Sequence, residues 1–197
     1  EEFIMRLDAA GKACPIPVIM AKKELDNGTQ DLSILVDGQT QIDNLSRLGK
    51  TYGREITVTP EGEKLVATFA NGDGNIPESA HGFDEGSYAV FFNKEGLGNG
   101  DAELGMNLAK MDIFTLSESE NIPTYVLFMN GGVKLTTGIE PQIIENLNTL
   151  IEKGTKVLVC GTCLNFFGIK EDCKVGTVSN MYDILGAMQE VSKVITL

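Results

Sequence analysis

Four cysteines carry the reactive chemistry available to this 197-residue chain: Cys14, Cys160, Cys163 and Cys173. Cys14 stands alone near the N-terminus, directly before Pro15-Ile16-Pro17. Two prolines so close together suit the first turn of a helix, where a missing N–H has no intrahelical partner and φ is already helical. That reading puts Cys14 at or next to the helix N-cap, where free backbone amides and the positive end of the helix dipole stabilise a thiolate. Cys14 is therefore a candidate nucleophile, with Pro15 and Pro17 as candidate substrate-contacting positions around it. The alternative is a small apolar residue tucked beneath the helix.

Cys160-Gly161-Thr162-Cys163 is a CxxC. Two thiols at this spacing approach within disulfide range, and the second can resolve a mixed disulfide or persulfide formed on the first. Cys160 and Cys163 join Cys14 as candidate catalytic residues. Gly161 permits a sharp turn that aims backbone amides at a sulfur anion, and Asn130 is a further candidate for substrate contact. A CxxC is also half a zinc knuckle. The single histidine, His81, lies in a Gly- and Asp-rich stretch and would need a long-range closure to complete a Cys3His site, so neither metal nor cofactor is expected. Cys173 follows Glu171-Asp172, an acidic setting that disfavours a thiolate, and it is read as inert.

The elements that must position these residues follow from periodicity and turn chemistry. A strand over 3–7, a helix over 15–25 stopped by Asn27-Gly28, a strand over 32–36 and a helix over 40–52 lead into strands over 55–59 and 64–69. Pro60-Glu61-Gly62-Glu63 reads as the hairpin turn between the last two. This β-α-β-α-β-β order predicts a two-layer α/β sandwich. Residues 71–86 are rich in turn formers and read as a linker between a domain over 1–70 and a domain over 87–197. The second half restarts with strands over 88–92, 125–129, 156–159, 175–178 and 193–196, alternating with helices over 102–117, 139–152 and 181–190. Apolar strands alternating with helices predict a three-layer, mostly parallel α/β domain. In such a sheet chemistry gathers beyond the carboxyl ends of the strands, and Cys160 directly follows one. Gly96-Leu97-Gly98-Asn99-Gly100 follows the first of these strands, but its spacing is GxGxG and no acidic residue ends the next strand to hold a ribose. The glycines are expected to let this loop and Asn130-Gly131-Gly132 pack near the cysteines. Tyr52 and Tyr182 read as ordinary packing.

A net charge of −12 and an isoelectric point near 4.5 argue against a nucleic-acid partner. No apolar run approaches a membrane span, and Glu1 to Arg6 lack the pattern of a secretory signal, so a cytoplasmic protein with free thiols is expected.

Residues 3–70 resemble the TusA/SirA-like sulfur carriers. The string Leu7-Asp8-Ala9-Ala10-Gly11-Lys12-Ala13-Cys14-Pro15-Ile16-Pro17-Val18, followed by Lys22-Lys23, carries that resemblance. It implies a persulfide carried on Cys14. Residues 86–197 resemble the DsrE-like family through Leu158-Val159-Cys160-Gly161-Thr162-Cys163-Leu164 and Gly168, which implies Cys160 as the active cysteine. Together the halves resemble YedF-like proteins, a group associated with selenium metabolism. One departure is Asp37-Gly38-Gln39, where TusA-like domains often place a proline after the aspartate.

The expected function is a sulfur or selenium carrier that moves a persulfide- or perselenide-type atom between Cys14 and Cys160. It would be a sulfurtransferase-like carrier without a complete catalytic cycle of its own. Its implied partners are donor and acceptor proteins of the cysteine desulfurase or selenophosphate synthetase class, with a homo-oligomer formed through the second domain. The alternatives are a dithiol redox protein using Cys160 and Cys163, and a non-catalytic regulatory or interaction module.

Overall fold

The structure, a computed structural model, describes residues 4–72 and 86–197, which fall into two compact units. The expected linker over 71–86 lies outside the described residues apart from positions 71, 72 and 86, and so does His81.

In the first unit the order is β1 (Met5–Asp8), α1 (Ile16–Asp26), β2 (Leu32–Val36), α2 (Gln39–Thr51), β3 (Ile56–Glu61) and β4 (Lys64–Phe69). The sheet runs β1-β2-β4-β3, with β1 parallel to β2 and the other two pairings antiparallel. Helix α1 buries Pro17, Ala21 and Leu25, a stripe spaced by four that faces the core. Helix α2 buries Ile42, Leu45 and Gly49. Gly49 is required there, because a Cβ would lie 2.7 Å from the Arg54 carbonyl oxygen. The hairpin is tighter than expected: β3 continues through Pro60 to Glu61, and Gly62-Glu63 alone turns the chain, with Gly62 at φ 66°. Proline is tolerated inside β3 because β3 is an edge strand.

In the second unit the order is β5 (Tyr88–Phe92), α3 (Ala102–Glu118), β6 (Tyr125–Phe128), α4 (Pro141–Glu152), β7 (Lys156–Cys160), α5 (Gly161–Phe167), β8 (Thr177–Ser179), α6 (Met181–Glu190) and β9 (Lys193–Thr196). The five strands form one parallel sheet in the order β8-β7-β6-β5-β9. All four residues of β6 are buried, as a strand covered on both faces requires. Phe92 and Phe128 stack at 5.2 Å at the ends of adjacent strands, an arrangement worth about 1 kcal/mol beyond burial alone.

Several expectations need correction. The segment after Cys160, for which no element was expected, is a short helix, α5. The strand expected over 175–178 is β8, shifted to Thr177–Ser179. A 3-10 turn over Asn130–Thr136 separates β6 from α4, which begins at Pro141 because proline suits the first helical position. Tyr52 is buried and donates its hydroxyl proton to Asp26, as packing demands, but Tyr182 is 86% exposed and packs against nothing that hides it.

Asp112 on α3 has an Oδ2 atom buried without a hydrogen-bond partner among the described residues. Burial pushes its carboxyl up from 3.8 to about 6. A raised carboxyl favours the protonated fold, so stability present below about pH 4 is lost as pH rises through about 6. Asp112→Asn should therefore melt higher than the parent above that range, with the gap closing on acidification. Thermal melts across pH check this.

Candidate functional site

The first unit presents Cys14 immediately before α1. Pro15 is the N-cap, Pro17 is the second helical residue and is buried, and the Cys14–Pro15 peptide is cis. Cys14 is half-buried. The expected supply of free amides is smaller than the sequence suggested. Pro17 has no N–H, the Ile16 amide donates to the Ala13 carbonyl at 3.0 Å, and the Ile19 amide donates to the Pro15 carbonyl at 3.1 Å. The hydrogen bond that the sulfur accepts comes instead from α2: Asn44 Nδ2 donates to Cys14 Sγ at 3.4 Å. The loop before the cysteine is anchored by Asp37, whose carboxylate accepts the Gly11 amide at 2.6 Å. Gly38, at the position where the departure from the family pattern falls, is the extended N-cap of α2. The contacts of Asn44 and Asp37 are not legible in the sequence, because their partners lie 30 and 26 residues away.

The second unit gathers Cys160, Gly161, Cys163 and Asn130 at the carboxyl ends of the strands. Cys160 ends β7 and caps α5, is 3% exposed, and belongs to the hydrophobic core. Its sulfur accepts two hydrogen bonds from Cys163, one from the backbone N–H at 3.4 Å and one from Sγ at 2.9 Å. Cys163, one turn further, is half-buried. Its sulfur accepts the Asn130 amide at 3.1 Å. Asn130 can aim that amide because it adopts φ 48°, a left-handed backbone that asparagine tolerates better than most residues. Gly161 serves a different purpose from the sharp turn expected. It opens α5 against β8, where a Cβ would meet Val178 Cγ1 at 3.0 Å and the Ser179 carbonyl oxygen at 3.2 Å.

Cys163 lines a pocket of about 480 Å³ with Phe91, Met129, Phe166 and Phe167, and with the polar residues Asn93, Asn130 and Thr162. Phe166 is 84% exposed at its mouth and meets the Phe167 ring edge-on at 5.3 Å. Lys134 sits 5.0 Å over Phe167 and pairs with Glu95 at 2.8 Å. The glycine-rich loop packs against α3: a Cβ on Gly96 would strike the backbone of Gly105 at 2.7 Å, and one on Gly131 would reach the Glu95 amide at 3.4 Å. The Leu97 amide of that loop is spent on the Gly105 carbonyl at 2.9 Å. The aromatic pair Phe166-Phe167 was missed because no helix was expected in that segment.

Cys173 lies against Thr136 Oγ1 and the Val175 carbonyl, each at 3.5 Å, on the far side of the 3-10 turn from Asn130. Among the described residues no cluster of three or more His, Cys, Asp or Glu side chains is placed to hold a metal. No helix there is long and apolar enough to cross a membrane.

A parallel sheet carrying a thiol pair beyond its strand ends, joined to a β-α-β-α-β-β sandwich with its own cysteine, defines a two-unit thiol protein. Residues 86–197 match the DsrE/DsrF-like family, and the chain belongs to that family. Residues 5–69 match the family described as sulfurtransferase TusA. Both are families of sulfur-relay proteins. No curated protein sequence matches the chain. Two solved structures are similar over 56% of it: the ychN protein from E. coli, at 19% identity and a TM-score of 0.40, with 99% of that chain covered, and a conserved protein of unknown function from Bacteroides thetaiotaomicron, at 14% identity and 0.41, with 95% covered.

Burial first, and the hydrogen bond to Cys160 second, push the Cys163 thiol above its ordinary value, against the opposing pull of the Asn130 amide. Cys163 should therefore stay protonated at neutral pH, and its alkylation should still be climbing where an ordinary thiol has levelled off. Iodoacetamide labelling across pH, read by peptide mass, checks the profile.

Proposed function

We propose that the chain is a carrier of sulfane sulfur or of selenium, holding the atom on Cys14 in the first unit and on the Cys160/Cys163 pair in the second. The observation that carries this reading is the pairing of two sulfur-relay families in one chain, each with a cysteine at a reachable position. Cys14 is half-buried before α1 and its sulfur accepts a hydrogen bond from the Asn44 side-chain amide, which supports its role as the carrying thiol. A carrier of this kind needs a donor that makes the sulfane atom and an acceptor that takes it. Proteins of the cysteine desulfurase and selenophosphate synthetase class fit those roles. The four free thiols suit a reducing compartment such as the cytoplasm.

One observation favours a second reading. The 2.9 Å approach of Cys163 Sγ to Cys160 Sγ is the geometry of a dithiol redox pair, in which Cys14 would be dispensable. The two readings separate on one experiment. The chain is incubated with a cysteine desulfurase and cysteine, and intact mass is read before and after. The carrier reading expects a gain of one sulfur on the parent protein and loss of that gain in Cys14→Ala. Equal loading of Cys14→Ala would sink it.

Self-association of the second unit has a candidate face in α6 and the edge strand β8, where exposed Val178, Tyr182 and Leu185 line a groove of about 600 Å³. A second copy of the chain is the occupant we propose for it. Light scattering should give an oligomer that dissociates when Tyr182→Glu and Leu185→Glu are combined, and a monomeric parent would refute the assignment.

A further inference from the structure

The two thiols of the CxxC differ in one decisive respect. Cys160 is 3% exposed and packed in the core, whereas Cys163 faces the pocket. An incoming sulfur atom can reach Cys163 Sγ. It cannot reach Cys160 without opening the β7–α5 junction, which is held closed by the packing of Gly161 on Val178 and Ser179. Cys160 Sγ nevertheless lies 2.9 Å from Cys163 Sγ, and Cys160 does not line the pocket. The roles suggested by the order of the motif are therefore reversed.

We infer that Cys163 receives the sulfane atom and that Cys160 then expels it, so the second unit releases sulfide, or selenide, rather than passing a persulfide onward. This inference rests on the carrier reading above and deepens it by giving the second unit a reductive output.

The steps balance with the groups present and one named co-reactant. In loading, Cys163 Sγ attacks the outer sulfur of a donor persulfide R–S–SH. The donor S–S bond breaks, Cys163–S–SH forms, and the proton of the Cys163 thiol ends on the departing R–S⁻ as R–SH. In release, Cys160 Sγ attacks Cys163 Sγ. The Cys160–Cys163 disulfide bond forms, the bond from Cys163 Sγ to the outer sulfur breaks, and the proton of Cys160 leaves with that sulfur as hydrogen sulfide. The two cysteine sulfurs together give up two electrons, and the sulfane atom gains both. A dithiol reductant then exchanges with the disulfide and restores both thiols. The release step asks little of the fold: the sulfur atoms must close by roughly 0.9 Å to reach a disulfide bond length. The expelled atom departs into the pocket and through its open mouth beside Phe166. Selenium in place of the sulfane sulfur gives hydrogen selenide with the same balance. The reaction before this one must supply a sulfane atom, and the reaction after it must consume a free chalcogenide.

The test uses the full, reduced chain loaded with glutathione persulfide, desalted, and followed in time. Sulfide is trapped with monobromobimane, and the Cys14 and Cys160/Cys163 peptides are mapped under non-reducing conditions. The inference expects sulfide to appear in step with a Cys160–Cys163 disulfide. It also expects Cys160→Ser to keep the extra sulfur on Cys163 and release none. Cys160→Ala and Cys163→Ser are run alongside, the first as a replacement that puts no hydroxyl in the core and the second as a chain whose pair takes up no sulfur. A parent that retains the persulfide on Cys163 without forming the disulfide would overturn it, as would persulfide found on Cys160 or equal sulfide from Cys160→Ser. Failure of the carrier reading shows separately, as a Cys14 peptide that stays unloaded after desulfurase treatment while the pair still discharges glutathione persulfide.

Discussion

Strand β7 runs into α5 with no residue between them, and the chemistry of the second unit depends on that direct handover. A strand side chain at its last position can point into the core, and a helix then brings the residue three positions on back over it. Cys160 and Cys163 occupy those two places, so one sulfur is enclosed and the other meets the pocket at a separation of 2.9 Å. The handover is possible because Gly161 lets the start of α5 lie against β8. A side chain there would push against the Val178 methyl and the Ser179 carbonyl. A loop in place of α5 would leave the two thiols free to separate.

The two units solve the problem of presenting a sulfur atom differently. In the first, the thiol is outside the helix that follows it, and its hydrogen bond is donated by a side chain of another helix, Asn44. In the second, each sulfur of the Cys160/Cys163 pair is met by a backbone amide: Cys160 by that of Cys163, and Cys163 by that of Asn130. A side-chain donor can be withdrawn by a rotamer change when a partner arrives, whereas an amide fixed in a turn stays in place.

Much of this was legible in the sequence, and the parts that were not have physical reasons. The β-α-β-α-β-β order, the parallel sheet, and the positions of α1, α2, α3 and α6 followed from periodicity and from Gly and Pro punctuation, because those signals are local. The gathering of Cys160, Cys163 and Asn130 followed from the rule that parallel sheets place chemistry at their strand ends. What escaped was α5, seven residues long, too short for an apolar period to stand out. With it went the exposed Phe166 and the inverted accessibility of the two thiols. The donor to Cys14 escaped for another reason: Asn44 lies 30 residues on, in a different helix, and only the fold brings it to the sulfur. The Ala13 carbonyl, which takes the Ile16 amide, enters only once the turn is built.

Pro60 has a bearing on how other proteins can approach the first unit. It lies inside β3, the outer strand of the sheet, and strips that rim of an amide that strand-on-strand docking would use. Lateral growth of the sheet on that side is thereby discouraged, which protects an acidic, two-layer body from fibre-like stacking. The opposite rim, β1, carries no such proline.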